Sequence, residues 1–201
     1  MQSACCQRRR NWGLAIARAL GKGAPRQGRE DGAMGVMRNV AVAAVLALAA
    51  CGTPGGGHRD GASQISSQAL FDPARFADVW HVVAAYGRDA NCGPLAETWA
   101  PEGQGRFRVT GTYCGPNGAR AFVAEARVTG PGRITRAGPQ GREELWVLWV
   151  DADYRAAVIG TPSGAFARVL SRTPELRPDL MTAARSVLEF NGYDPARLAG
   201  I

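Results

Sequence analysis

Between residues 79 and 171 the chain repeats one pattern eight times: a short run of β-branched and aromatic residues, then a turn signal. The runs fall at 79–87, 95–100, 106–113, 120–129, 133–137, 144–150, 154–160 and 166–171. Pro101-Glu102-Gly103-Gln104-Gly105 separates the second from the third, Gly130-Pro131-Gly132 closes the fourth, and Thr161-Pro162-Ser163-Gly164 divides the last two. Connections this short join antiparallel neighbours, because a parallel crossover needs a dozen or more residues. The expected fold is all-β: an eight-stranded antiparallel up-and-down barrel, in which closure removes exposed edges and leaves room for one small ligand. A Greek-key sandwich fits the same strand count. After Pro174 the period lengthens, and Leu180, Ala183, Ala184, Val187 and Leu188 fall on one face at helical spacing. Asn191-Gly192 supplies the left-handed stop, so one C-terminal α-helix follows the barrel.

With 201 residues, 46% of them hydrophobic, the chain can bury the core of one ordinary domain and still carry an extension. The net charge of +7 is concentrated at the start: eight of the 24 basic residues lie at or before Arg38, against only Glu30 and Asp31 of the 17 acidic ones. The remainder is nearly neutral, which argues against a nucleic-acid partner. From Met37 the sequence has a positive residue at Arg38, an apolar stretch from Val40 and small residues before Cys51, the anatomy of a secretory signal. The apolar stretch is shorter than the about 20 residues of a transmembrane helix. The expected division is therefore an N-terminal extension over 1–36, upstream of a true start or disordered, a signal peptide over 37–50, a tether over 51–68 and the barrel over 69–201. Cys5 and Cys6 fall in the extension. The Gly/Pro-rich tether is expected to be flexible, with His58 solvated within it.

Leu48-Ala49-Ala50-Cys51 resembles the bacterial lipobox. That resemblance implies cleavage before Cys51, acylation of its thiol and new N-terminus, and a lipid anchor strong enough to hold the protein on a membrane. An ordinary signal peptide with an incidental cysteine is the alternative. The run from Phe71 to Ala84, with Asp78-Val79-Trp80 inside it, resembles the opening motif of bacterial lipocalins of the outer-membrane lipoprotein type. Asp78 stands where the family motif has glycine. Asp153-Tyr154-Arg155 and Leu170-Ser171-Arg172-Thr173-Pro174 resemble the second and third motifs, and Gly192-Tyr193-Asp194-Pro195-Ala196-Arg197-Leu198 resembles the ending of this subgroup. The resemblance implies a lipocalin barrel in which Trp80 plugs the closed end and Arg172 lies across its ring, with Trp80, Asp153, Tyr154 and Arg172 in structural roles. A guanidinium on an indole is worth about 0.5–2 kcal/mol. It also implies a membrane-anchored carrier of a small hydrophobic ligand, of the fatty acid or lysophospholipid class. Gly52, rather than the inner-membrane aspartate, points to the outer membrane facing the periplasm.

A hairpin folded about Gly103 sets Cys92 opposite Cys114, within disulfide reach in an oxidising compartment. Two free thiols, or a bulge that breaks the register, are the alternatives. Val82, Ala84, Tyr86, Phe107, Val109 and Phe122 are candidates to line a ligand cavity or to form plain barrel core, and a bulge reverses any of these facings. No cofactor motif and no metal-binding cluster is present in the sequence pattern. A Ser-His-Asp set would need His81, with no Gly-x-Ser-x-Gly beside it, and the adjacent Glu143 and Glu144 point to opposite faces of a strand and read as a solvated edge. A binding protein rather than an enzyme is therefore expected. The alternatives are an enzyme on the same scaffold or an envelope interaction protein with a filled barrel.

Overall fold

The computed structural model describes residues 57–138 and 141–201. The extension over 1–36, the signal peptide over 37–50 and Cys51 lie outside these residues. Eight antiparallel strands, β1 (Asp78–Ala85), β2 (Leu95–Gly103), β3 (Arg106–Gly115), β4 (Gly118–Gly130), β5 (Arg133–Gly138), β6 (Gly141–Val150), β7 (Ala156–Gly160) and β8 (Ala167–Ser171), pair in sequence order. Pairing of β1 with both β8 and β2 closes the barrel, so the up-and-down topology prevails over the Greek-key alternative. A two-residue strand, β9 (Ala199–Gly200), adds to the outer end of β1. The expected seventh strand loses its first two residues because Tyr154 adopts φ 57, which is incompatible with extended pairing.

Alternation along the strands divides the buried residues into two layers. Trp80, Leu95, Trp99, Phe107, Val109, Ile134, Leu145, Val147 and Leu170 fill the barrel. Outside it, Val83, Ala84, Tyr86, Val158 and Val169 meet Ala184 and Leu188 of the C-terminal helix α2 (Pro178–Phe190); a short helix, α1 (Pro73–Phe76), precedes β1. The register of β1 against β8 shifts between Val82 and Ala84. That bulge turns Ala84 outward and Ala85 inward, correcting the expectation that Val82, Ala84 and Tyr86 share the inner face.

One end of the barrel is sealed. Asp72 caps α1 by accepting from the N–H groups of Ala74 and Arg75, which delivers Phe76 beneath Trp80, ring centroids 5.1 Å apart. The Trp80 indole N–H donates to the Phe76 carbonyl at 2.8 Å. Arg172 lies over the other side, its guanidinium carbon 3.7 Å from the Trp80 centroid. It also donates to the carbonyls of Val79 (2.9 Å), Arg75 (2.7 Å) and Tyr154 (3.2 Å). Asp153 pairs with Arg155 at 3.1 Å, and the Tyr154 hydroxyl accepts from the Asp72 N–H at 2.7 Å. Asp78, in the position of the motif glycine, has φ 87.

The expectation of a flexible tether is corrected for residues 57–68, which run along the barrel wall as a strap. The Arg59 side chain donates to the carbonyls of Asn191 (3.0 Å), Pro162 (3.0 Å) and Ser63. Asp60 N–H reaches Gly192 (2.7 Å), Ser66 N–H reaches the Asn191 side chain (2.8 Å), and Gln68 N–H reaches Val147 (2.8 Å). Gly/Pro content predicts flexibility only where the backbone has no partners, and here loop carbonyls of the folded domain supply them.

Candidate functional site

The opposite end of the barrel is open and holds a cavity of about 220 Å³. Its wall combines Tyr113, Phe122 and Phe166 with His58, Tyr86 and the Cys92–Cys114 bridge. Gly87, with φ 70, brings the chain against the strap, so that a Cβ there would meet the His58 ring nitrogen at 2.8 Å. The His58 ring lies 5.4 Å from that of Tyr86 and faces Arg197 across 3.1 Å. Partial burial, reinforced by Arg197, lowers the His58 pKa below the ordinary imidazole value. His58 is thus part of the cavity wall and not a solvated tether residue.

Below the cavity lies a layer of charge inside the barrel. Glu97 alternates inward with Leu95 and Trp99, Arg136 with Ile134, and Arg168 with Leu170. One Glu97 oxygen accepts from Arg136 at 3.0 Å and from Arg168 at 2.5 Å, while the other accepts the Trp99 indole N–H at 3.2 Å. Arg136 is also held by Glu143 (2.8 Å) and Arg168 by Asp89 (2.7 Å). Burial alone would raise the Glu97 pKa, but the two guanidiniums outweigh it and hold the carboxyl below its usual range. Arg136 is held above its usual value by its carboxylate partners against the opposing effect of burial. Every buried side-chain polar atom among the described residues has a partner, as a charge in this environment requires.

Of the six candidate lining residues, Phe122 lines the cavity, whereas Val82, Phe107 and Val109 face inward but lie in the packed part of the barrel. Ala84 packs beneath α2. Tyr86 also lies on the outer side but edges the mouth, its hydroxyl donating to the Asp194 carbonyl at 3.0 Å. Glu143 is not a solvated edge residue: it turns inward onto Arg136, while Glu144 remains exposed. Cys92 and Cys114 are bonded, with Cα atoms 5.5 Å apart. The hairpin register expected to join them is off by two residues, with Thr98 opposite Thr110 rather than Arg108, and Cys92 reaches the bridge from a 3₁₀ turn before β2. The ionic layer was legible as three charged residues in inward phase on strands β2, β5 and β8, a signal that strand-by-strand motif reading passes over.

Chemically, the site can grip a polar group between the ionic layer and the rim and shelter an apolar group among the aromatic rings. His81 alternates with the inward Trp80 and Val82 and does not line the cavity. Among the described residues no three His, Cys, Asp or Glu side chains are placed to hold a metal ion, and no helix is long and apolar enough to cross a membrane.

A family pattern described as a lipocalin-like domain matches residues 71–201. A 55-residue stretch is 34% identical to temperature-induced lipocalin-1 of Arabidopsis thaliana, covering 27% of this chain and 30% of that protein. The chain thus spans under a third of the length of that relative. Among solved structures, apocrustacyanin C2 superposes with a TM-score of 0.52 at 14% identity, over 63% of this chain and 76% of its own. Lobster apocrustacyanin A1 gives 0.51 at 15% identity, over 63% and 77%. These likenesses concern the fold.

Proposed function

The chain belongs to the lipocalin-like family, and we propose that it binds a small amphiphile at the open end of its barrel while anchored to a bacterial envelope membrane. Proteins of this fold generally bind small hydrophobic ligands, and members of the family are mostly binding or carrier proteins. The observation that carries the proposal is the composition of the cavity wall: aromatic rings at the sides, an ionic layer beneath. At about 220 Å³ the cavity is smaller than the roughly 300–1,000 Å³ pockets that enclose drug-sized ligands. A long-chain ligand therefore inserts one end and leaves the rest at the mouth.

Fatty acids and lysophospholipids are both amphiphiles of this kind. Three carboxylates (Asp89, Glu97 and Glu143) face two guanidiniums (Arg136 and Arg168) in the layer, and all five groups are already engaged. A fatty acid carboxylate would add a fourth negative charge there with no cation of its own, whereas a zwitterionic lysophospholipid head brings an ammonium with its phosphate, so the zwitterionic head is favoured. The lipobox at Cys51 supports a lipid anchor, Gly52 supports the outer membrane facing the periplasm, and the Cys92–Cys114 bridge supports export to an oxidising compartment. The role is binding or carriage rather than turnover.

The test is native mass spectrometry of the full chain, processed and purified from the membranes of a bacterial host in mild detergent. The expected species begins at Cys51, carries acyl chains there and retains a lysophospholipid-sized mass. A protein that emerges empty and takes up neither added lysophospholipid nor fatty acid refutes the carrier role. That outcome would favour the filled-barrel interaction protein, a reading to which the packing of Trp80, Trp99 and Phe107 in the lumen lends weight.

A further inference from the structure

The charged groups beneath the cavity are not equally satisfied. Glu97 uses both carboxylate oxygens, one on Arg136 and Arg168 and the other on the Trp99 indole. Glu143 uses one. Its Oε2 accepts from the Arg136 Nε at 2.9 Å and Nη2 at 2.8 Å, while Oε1 has no donor among the described residues. Asp89 repeats the pattern: Oδ2 lies 2.8 Å from the Arg168 Nε and 2.7 Å from Nη2, and Oδ1 has no donor among the described residues. Both side chains line the cavity, and they keep 19% and 13% of their surface exposed, against 0% for Glu97. Every buried side-chain polar atom among the described residues has a partner, so the two unused oxygens are accessible ones. All three nitrogens of each guanidinium, by contrast, already face a carboxylate. The floor of the cavity thus has spare acceptors and a surplus of one negative charge.

We infer that a primary ammonium group of the ligand binds at this floor, donating to the unused oxygens of Asp89 and Glu143, and that this contact selects the head group. The inference rests on the carrier role put forward above and assigns which end of the ligand is buried. A protonated amine brings N–H donors and one positive charge, which match the spare acceptors and the charge surplus. Tyr113, in the same wall, offers its ring to the cation, since those of Phe122 and Phe166 already hold Arg136 and Arg168. The phosphate of such a head lies nearer the mouth, where Arg88 is exposed and enters no ion pair among the described residues. A quaternary ammonium has the charge without the N–H donors, and a fatty acid has neither. Ethanolamine heads are therefore preferred to choline heads.

The test is a competition on the processed full chain in mild detergent, read by native mass spectrometry. Lysophosphatidylethanolamine, lysophosphatidylcholine and N-acetyl-lysophosphatidylethanolamine, all with the same acyl chain, are offered in equal amounts. Bound ethanolamine lipid is expected to exceed each of the others about ten-fold or more, the weight of a hydrogen bond to a charged group. Asp89→Asn and Glu143→Gln, each checked for folding by thermal unfolding, are expected to cut that preference to about three-fold or less. Should a variant fail to fold, the three lipids on the parent protein decide alone. Equal occupancy by the three lipids overturns the ammonium site and leaves the carrier role standing. Binding of none of them overturns both. Glycerophosphoethanolamine has the head without the acyl chain; if it displaces the lipid at equal concentration, the ammonium site stands and the lipid carrier falls.

Discussion

Glu97 is the residue on which the interior of this barrel depends most. Its side chain is 0% exposed and accepts three hydrogen bonds, from Arg136, Arg168 and Trp99. Glu97→Gln keeps the shape but removes the charge that both guanidiniums share, and it turns an NH₂ group toward either an arginine or the Trp99 N–H. Removing one partner from a buried ion pair costs about 3–5 kcal/mol, because the remaining charge stays buried with less compensation. Arg136 and Arg168 each retain one carboxylate, Glu143 and Asp89, which places the expected cost near the lower end, about 3 kcal/mol. For a domain of this size that lowers Tm by roughly 10 °C. The effect also carries a pH signature. The folded pKa of Glu97 lies below its ordinary value of 4.5, so its contribution is present above that pH and is lost as pH falls through the folded pKa. The assay is urea unfolding followed by tryptophan fluorescence from pH 7.5 to 3. The variant is expected to be destabilised at neutral pH and to lose less of its remaining stability on acidification. A cost below about 1 kcal/mol with an unchanged acid slope would falsify the shared-carboxylate arrangement.

Four further outcomes follow from the same geometry. Replacing Cys92 and Cys114 with alanine is expected to cost about 3 kcal/mol, appropriate to a bridge of sequence separation 22, and to loosen the cavity wall, as measured by chemical unfolding without reductant. Asp78→Gly is expected to be neutral or stabilising by about 1 kcal/mol, whereas Asp78→Val costs about 1–2 kcal/mol, because φ 87 suits only a residue without Cβ; equal stabilities would show that the backbone there is relaxed. Arg172→Met is expected to cost about 2 kcal/mol, since it removes both the Trp80 contact and donors to three carbonyls, and to shift the tryptophan emission; a variant as stable as the parent refutes the seal. The folded pKa of His58 is below 6.5, so docking of the strap is favoured at pH above that value and opposed by protonation as pH falls. Hydrogen exchange at residues 57–66, corrected for intrinsic rates, is therefore expected to speed up from pH 7.5 to 5, and His58→Gln is expected to abolish the change.

Much of this architecture is local information. Alternating runs and turn residues identify eight strands with boundaries within a few residues, because period-two patterning and turn chemistry act over short stretches of chain. The helix from Pro178 to Phe190 and its stop at Gly192, with φ 82, follow in the same way. Trp80, Asp78 and Arg172 were identifiable as a set from motif order, and Cys92 and Cys114 as a pair from their placement about one turn. Facing, by contrast, depends on register. The bulge between Val82 and Ala84 and the two-residue offset of the β2–β3 hairpin come from pairing with neighbouring strands, and they decide that Ala84 leaves the lumen and that Cys92 bonds from outside its strand. The strap and the ionic layer are still less local. Residues 57–68 look like a solvated linker until the carbonyls of Pro162, Val147 and Asn191 are brought beside them. Glu97, Arg136 and Arg168 lie far apart in the chain, and each alone would be an unfavourable inward charge. Only closure of the barrel brings them together, and that shared burial makes the cavity shallow and its floor polar.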